Sequence, residues 1–285
     1  MIYQSLSQDP FINLALEQQL FEAGTSNALF LYQNNSSVII GRAQNPWVEC
    51  DVHFLKTQNI PLARRQSGGG TVFHDLGNLN FTFFCEKANY NKEQNLALII
   101  KALATLNINV DMNTRHDLIL NDKKISGSAF RETKTHAFHH GTLLIDSNLD
   151  LLRQSLKAPE YDIKSKGVAS VKSSVINIKD VYAHANIPEI IKAISNAFEP
   201  EPQIKKLTIN NLNPEILALY QSDTWRFERT LPFSETIDHV DGSISELQVE
   251  SGIITEIKSD NNELLQWLQQ PYAHFYHKRA LCKQA

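Results

Sequence analysis

Residues 64–83 read Arg64-Arg65-Gln66-Ser67-Gly68-Gly69-Gly70-Thr71-Val72-Phe73-His74-Asp75-Leu76-Gly77-Asn78-Leu79-Asn80-Phe81-Thr82-Phe83. Two guanidinium groups stand just before three consecutive glycines. Glycine lacks a Cβ, so a ligand can lie directly against backbone N–H groups. Successive free N–H groups form a concave anion site, and arginine adds a rigid fork of donors for phosphate or carboxylate. The alternating apolar run that follows predicts a buried strand that holds the loop rigid. On local grounds the stretch is either a pocket for a nucleotide or acyl phosphate, or a glycine-rich hairpin turn with solvated arginines.

Upstream, Asp9-Pro10 supplies an N-cap acceptor and a proline at the first helical position. Phe11, Leu14, Ala15 and Leu20 then recur at helical spacing, which predicts an amphipathic helix over about 10–22. Residues 28–32 and 37–40 predict two strands joined by the turn Gln33-Asn34-Asn35-Ser36. Gly41-Arg42-Ala43-Gln44-Asn45-Pro46-Trp47 follows, a polar segment with one cation that either lines a pocket or simply connects strand to helix.

Downstream, a helix is expected from about 92 to 106, apolar at Leu96, Leu98, Ile99, Leu103 and Leu106, with short strands at 110–112 and 117–120. After the turn Asn121-Asp122, alternation predicts a strand with Lys124, Ser126 and Ser128 on one face and Ile125 on the other. A lysine among small residues on a sheet face can reach a ligand; a surface lysine is the plain alternative. His139-His140 enters a strand, and neighbouring strand residues point to opposite faces. The two histidines therefore do not share one metal; one is expected to orient a pocket group and the other to be structural. Short helices are expected at 149–156, 188–198 and 264–268, and a hairpin at 243–257. Residues 163–172 form a basic, glycine-containing loop that is either a solvated connection or a flap over a charged ligand.

The composition sets bounds. The 285 residues fit one large domain, or one domain with a small appendage. The hydrophobic share of 42% and charged share of 20% are those of an ordinary globular protein. The formal net charge of −4, without a basic block, argues against a dedicated nucleic-acid binder. Cys50, Cys85 and Cys282, odd in number and far apart, fit neither a disulfide scaffold nor a cysteine zinc site, and suit a reducing compartment. The first basic residue is Arg42, so neither a secretory signal nor a mitochondrial transit peptide is expected. No apolar run is long enough to span a bilayer, and a cytoplasmic location is the expectation.

Taken together, these stretches resemble the lipoate–protein ligase family. The carriers are Gly41-Arg42-Ala43-Gln44-Asn45-Pro46-Trp47, the run from Arg64 to Asn78, and Lys124-Ile125-Ser126-Gly127-Ser128-Ala129-Phe130-Arg131-Glu132-Thr133-Lys134. Phe138-His139-His140-Gly141-Thr142-Leu143-Leu144 and Lys166-Gly167-Val168-Ala169-Ser170-Val171 continue in order along the chain.

The resemblance implies an α/β fold of the α+β type shared with biotin ligases, with a mixed sheet, flanking helices and a shortened C-terminal α+β appendage. It implies two steps: lipoate and ATP give lipoyl-adenylate and pyrophosphate, and a lysine ε-amine of an acceptor domain then displaces AMP. Carried over residue by residue, Lys124 is the catalytic cation, touching acyl carbonyl and phosphate. Arg65, Gly68, Gly69, Gly70, Thr71, Val72 and Phe73 hold the adenylate, with Ser67, Asn78 and His140 as further lining residues. Val72, Phe73 and Phe83 are expected to supply an apolar slot for the acyl chain. ATP implies Mg²⁺, for which Asp117 is the candidate ligand; the family commonly has Asn-Asp where this chain has His116-Asp117. Implied partners are the lipoyl domains of 2-oxoacid dehydrogenase E2 subunits and the glycine-cleavage H protein, with no nucleic acid and no membrane.

The expected division is a catalytic domain over 1–229, a linker over 230–237, and a small accessory domain over 238–285 that packs on the rest. Family members usually carry a longer C-terminal domain, one tied to adenylation. A lipoyltransferase that uses preformed lipoyl-adenylate therefore stands as an alternative. A cysteine-dependent octanoyl or lipoyl transferase is a further one, and it requires a thiolate at the pocket.

Overall fold

The computed structural model describes residues 1–282. Strand β1 (Ile2–Ser5) leads into helix α1 (Pro10–Glu22), whose cap is Asp9, accepting from the N–H groups of Phe11 and Ile12. Strands β2 (Ala28–Tyr32) and β3 (Ser37–Ile40) lie where the pattern puts them, but the turn between them moves the chain from one sheet to another. Two short helices, α2 (Pro46–Glu49) and α3 (Val52–Thr57), precede β4 (Leu62–Arg64).

The apolar run after the glycines is not one strand. It splits into β5 (Val72–His74) and β6 (Asn78–Glu86), which belong to different sheets. Asp75 makes the break: its carboxylate accepts from the N–H groups of Gly77 and Asn148 and fixes a turn. Helix α4 (Lys92–Ala104) follows, then a small meander of β7 (Asp111–Met112), β8 (Leu118–Leu120) and β9 (Lys123–Lys124). Residues 125–127 leave the strand, so the expected continuous Lys124–Ser128 face is interrupted before β10 (Ser128–Glu132). Strand β11 (His136–Leu144), α5 (Leu149–Ser155), β12 (Asp162–Ser165), α6 (Ile187–Phe198), β13 (Ile204–Leu207) and α7 (Pro214–Gln221) come next.

The last part holds β14 (Phe233–Asp238), β15 (Ile244–Glu250), β16 (Ile253–Lys258) and α8 (Asn262–Leu265). A final helix, α9 (Tyr272–Cys282), has no counterpart in the sequence reading. The expected linker 230–237 contains most of β14. That strand pairs with β12, so the C-terminal sheet β12-β14-β15-β16 draws strands from both sides of the expected boundary.

The main sheet is mixed, in the order β10-β11-β6-β2-β1-β13, with β1 parallel to both neighbours. Strand alternation gives it two faces. Leu29, Leu31, Leu79, Phe81 and Leu143 pack against α4 and α6, through Leu96, Ile99, Ile190 and Ile194 among others. The opposite face carries Phe30, Tyr32 and Phe138 under α1, whose Leu16 and Phe21 cover them. Beyond that helix the same face turns polar, with Asn80, Thr82, His140 and Thr142. A second, three-stranded sheet, β4-β3-β5, stands across from this polar part. Its one face, Val38, Ile40, Leu62 and Phe73, packs on Trp47 and on Phe233, Leu247 and Tyr272 of the C-terminal region. Its other face, Ile39 and Val72, meets Leu14 of α1. The space left between the two sheets is the site.

Candidate active site

A cavity of about 310 Å³ fills that space. Its floor is set by strand register. Tyr32 pairs with Asn80, Asn80 with Thr142, and the Thr142 N–H donates to the carbonyl of Gly127. Three strand-to-strand steps of about 4.8 Å make a floor roughly 14 Å long. The ends differ. Leu14, Tyr32, Ile39, Val72, His74 and Asn80 enclose one of them. Lys124, Asp117, Arg115, the glycine loop and the segment 168–173 surround the other.

Lys124 reaches this mouth from β9. The backbone fixes it on both sides: its N–H donates to the Ser174 carbonyl, and its carbonyl accepts from Ile176. The ammonium lies 2.7 Å from Asp117 Oδ1. Gly127 lies beside it: a Cβ there would stand 3.7 Å from Lys124 Nζ, in ordinary contact. Ile125, as alternation requires, is wholly buried on the other side.

Arg65 lines the cavity but spends its donors within the protein. Nη2 donates to the carbonyls of Gly68 at 2.6 Å and Gly70 at 2.7 Å. Nε donates to Ser67 Oγ at 3.0 Å and Nη1 to the Ile39 carbonyl at 3.1 Å. Arg65 therefore shapes the loop more than it reaches out of it. Because a trans peptide opposes its C=O and N–H, turning the Gly68 and Gly70 carbonyls inward sends the Gly69 and Thr71 N–H groups the other way. The Thr71 N–H meets Ser170 Oγ at 2.9 Å, while Gly69 sits at φ +82°, a left-handed conformation that suits glycine.

His140 and His139 fall on opposite faces. His140 lines the cavity within a buried chain: Arg65 Nε donates to Ser67 Oγ, which lies 2.7 Å from His140 Nε2, and His140 Nδ1 is 2.9 Å from Glu17 Oε1. Glu17 is buried and also accepts from Thr82 Oγ1 at 2.5 Å. His139 is packed against Phe130 and Phe81, with Ser128 Oγ 3.0 Å from its Nε2.

The remaining expected residues divide. Gly69, Gly70, Thr71 and Val72 line the cavity. Ser67 and Gly68 stand behind it as partners of Arg65. Phe73 does not line it: strand alternation turns its ring to the Phe233 side. Phe83 is likewise on the α4 side of the main sheet. Asn78 donates to Asn80 Oδ1 at 3.0 Å and acts through that neighbour. Residues not named as lining from sequence, Leu14, Tyr32, His74 and Asn80, build the enclosed end, because only the register of two sheets brings them together.

A flap over 166–174 roofs the mouth. Ser170 Oγ receives Thr71 N–H and Gln44 Nε2 and donates to the Glu49 carboxylate. Gln44 is saturated: Oε1 accepts from Gly41 N–H and Thr71 Oγ1, and Nε2 donates to the Val168 carbonyl at 3.1 Å as well as to Ser170.

Asp117 is the one carboxylate among the cavity-lining residues. Lys124 occupies Oδ1, and Asn113 and Arg115 approach Oδ2 at 3.3 and 3.5 Å. Among the described residues no three His, Cys, Asp or Glu side chains cluster into a metal cage. One carboxylate is nonetheless a sufficient protein donor set for Mg²⁺, which takes its other ligands from phosphates and water.

The family model described as the lipoyl protein ligase A/B catalytic domain matches residues 9–199, the span that holds every element of this cavity. The chain belongs to that family. It is 39% identical over 254 residues to a lipoate-protein ligase A of Psychrobacter cryohalolentis, covering 83% of this chain and 75% of that one. A crystal structure of P. falciparum LipL1 in complex with lipoate superposes with TM-score 0.70 at 29% identity, covering 89% of this chain and 82% of the other. A crystal structure of lipoate-protein ligase A bound with ATP gives TM-score 0.67 at 24% identity over 79% of this chain and 97% of its own, a likeness of fold. No helix among the described residues is long and apolar enough to cross a membrane.

Proposed function

We propose that this chain is an ATP-dependent lipoate–protein ligase that forms lipoyl-adenylate and transfers the lipoyl group to a lysine of an acceptor protein. The observation that carries the reading is the cavity's polarity: an enclosed, largely apolar slot about as long as an eight-carbon acid, opening onto Lys124 and a glycine loop.

The lipoate carboxylate attacks the α-phosphorus of ATP, and pyrophosphate leaves. The acceptor ε-amine then attacks the acyl carbonyl, and AMP leaves with the electron pair of the broken anhydride C–O bond. Negative charge develops on phosphate oxygens in the first step and on the carbonyl oxygen in the second. Lys124, held at the mouth by its backbone, stabilises both most strongly where water is excluded. The Gly69 N–H and Arg115 add donors on either side. Asp117 keeps Lys124 aimed until an anion arrives. Asp117 would be the protein ligand for a Mg²⁺ arriving with ATP, which would help neutralise the charge of the leaving pyrophosphate. The flap excludes water from an anhydride that hydrolyses readily.

Neither described cysteine side chain suits a cysteine-dependent mechanism, and the side chain of Cys282 lies outside the described residues. Cys50 is buried, donates to the Pro46 carbonyl, and has its thiol pKa pushed far up by burial. Burial also raises Cys85, which ends β6 away from the cavity. Expected acceptors are lipoyl domains of 2-oxoacid dehydrogenase E2 subunits and the glycine-cleavage H protein, in the cytoplasm.

The test measures pyrophosphate released from ATP with lipoate alone, then amide formed on a lipoyl domain. Wild type is expected to do both, and Lys124→Ala to lose about 10²–10³-fold in each, of the order seen when one charge-stabilising donor is removed. Turnover only with added lipoyl-adenylate would make the chain a transferase, and near-normal turnover of folded Lys124→Ala would remove the role given to that lysine.

A further inference from the structure

The enclosed end of the cavity carries a polar atom that the protein leaves unsatisfied. His74 lines the cavity beside Val72, on the same face of β5, and is 4% exposed. Its Nε2 is buried and has no hydrogen-bond partner.

Which ring nitrogen bears the proton follows from a chain of contacts anchored on backbone carbonyls. Asn13 Nδ2 lies 3.0 Å from the Ser7 carbonyl and 3.0 Å from the Gln33 carbonyl. Only the amide nitrogen can face two carbonyl oxygens, so the Asn13 amide has one orientation. The same nitrogen is 2.8 Å from Asn34 Oδ1. Asn34 must then turn its own Nδ2 toward His74, where it lies 2.9 Å from Nδ1. A donor at that position makes Nδ1 the acceptor. Burial, reinforced by Arg65 and His140, holds the ring's pKa down to about 3, so the ring is neutral at working pH. A neutral ring with Nδ1 accepting carries its hydrogen on Nε2.

His74 thus brings to the cavity wall, which Leu14, Ile39 and Val72 also line, a buried N–H donor that no protein group accepts. A buried donor without an acceptor is disfavoured, and a site built around one rejects ligands that cannot pair with it. We propose that His74 is a specificity-determining residue: its Nε2–H selects acyl chains that carry an acceptor atom at the end remote from the carboxylate, over plain alkyl chains of equal length. On the ligase reading above, on which this rests, that acceptor is a sulfur of the dithiolane ring, a soft and weak acceptor but one in the right place. Octanoate has the same eight-carbon backbone and ends in a methyl group.

The experiment compares lipoate with octanoate in wild type, His74→Leu and His74→Gln, reading kcat and KM separately from ATP-dependent pyrophosphate release. Wild type is expected to show a KM for octanoate at least 10-fold above that for lipoate, with kcat values within about 2-fold. His74→Leu is expected to bring the KM ratio near 1, by lowering KM for octanoate and raising it for lipoate. His74→Gln, which restores an amide donor, is expected to recover part of the preference. It also serves if the leucine variant fails to fold. A wild type indifferent to the two acids, or a folded His74→Leu that keeps the full ratio, overturns the proposal. If wild type releases no pyrophosphate at all, the ligase reading fails on its own. Calorimetric titration with the same two acids then reads the donor directly: tighter lipoate binding that is lost in His74→Leu supports it, and equal affinities refute it.

Discussion

Arg64 and Arg65 are neighbours of identical chemistry, and the fold gives them different work. Adjacent strand residues face opposite ways. Arg64, fully buried, donates to the carbonyls of Gln44 at 2.7 Å and Arg226 at 2.7 Å, tying the 41–45 loop to the segment after α7. Arg65 turns instead to the glycine loop. The buried histidines show the same dependence on surroundings. His74 and His139 both have pKa values held down to about 3, chiefly by burial and further by neighbouring positive or titratable groups. The unfolded chain takes up these protons near the ordinary value of about 6.5, but the folded chain does so only near 3. The stability they allow is therefore complete above about pH 6.5 and falls steadily as pH drops from there toward 3, by up to about 1.4 kcal/mol per histidine per pH unit. Urea unfolding at pH 7.5 and pH 5.5 is expected to differ by roughly 2–3 kcal/mol from this pair. His139→Asn should remove about half of this pair's share of the dependence, whatever it does to stability at pH 7.5. Equal pH dependence in wild type and variant would show that the buried imidazole is not the source.

At the scale of elements, the flap is held by polar contacts alone. Ser170 joins three pieces: the glycine loop through the Thr71 N–H, the 41–45 loop through Gln44, and α2 through Glu49. Val168 and Val171 are largely exposed, so little apolar burial adds to the closure. Weakening the one charged acceptor should loosen the roof without disturbing the floor. Glu49→Gln is expected to let the adenylate escape or hydrolyse, raising the ratio of AMP to amide product several-fold while pyrophosphate release falls less than 3-fold, since the carboxylate accepts from both the N–H and the hydroxyl of Ser170 and removing its charge costs about 1–2 kcal/mol per hydrogen bond. An unchanged ratio would show that the flap needs no such latch. How legible these elements are in sequence follows from how local their causes are. The start of α1 is written in Asp9-Pro10, and Lys124 is flagged by its small neighbours. The break between β5 and β6 is not visible, because apolar alternation runs through Asp75-Leu76-Gly77 on both sides and says nothing about a change of sheet. The enclosed end of the cavity is hidden for the same reason: Leu14, Tyr32, Ile39 and Asn80 come from four elements, and none carries a reactive group. Hydrophobicity alone suggests Phe73 for the slot, yet the face it occupies is decided by the Ile39–Val72 register.

The whole molecule is joined where the sequence suggested a seam. Strand β12 pairs with β14 through Ile163 opposite Glu235 and Lys164 opposite Ser234, and the flap begins directly after β12. The C-terminal sheet therefore anchors one end of the roof over the catalytic mouth. Its apolar face is continuous with the earlier part of the chain: Trp47 meets Phe233 at a tilt of 38° and Tyr272 edge-on, and Val38, Leu62 and Phe73 belong to the same cluster as Leu247 and Val249. Beneath it, buried Glu235 accepts from Tyr272 Oη at 2.8 Å and from Arg279, so α9 is locked to β14. Removing residues after 229 would strip β12 of its sheet partner and expose Trp47, several aliphatic side chains and the ring of Phe73. Burying a single such side chain contributes about 1.5–3 kcal/mol, and a domain's total stability is only about 5–15 kcal/mol. A chain ending at Arg229 is thus expected not to accumulate as a folded monomer, and the full chain to unfold in one urea transition seen alike by tryptophan fluorescence and far-ultraviolet circular dichroism. A soluble 1–229 fragment with a cooperative melt, or two separated transitions in the full chain, would show instead that the C-terminal sheet is an independent body and that the flap's base is held by the first 229 residues alone.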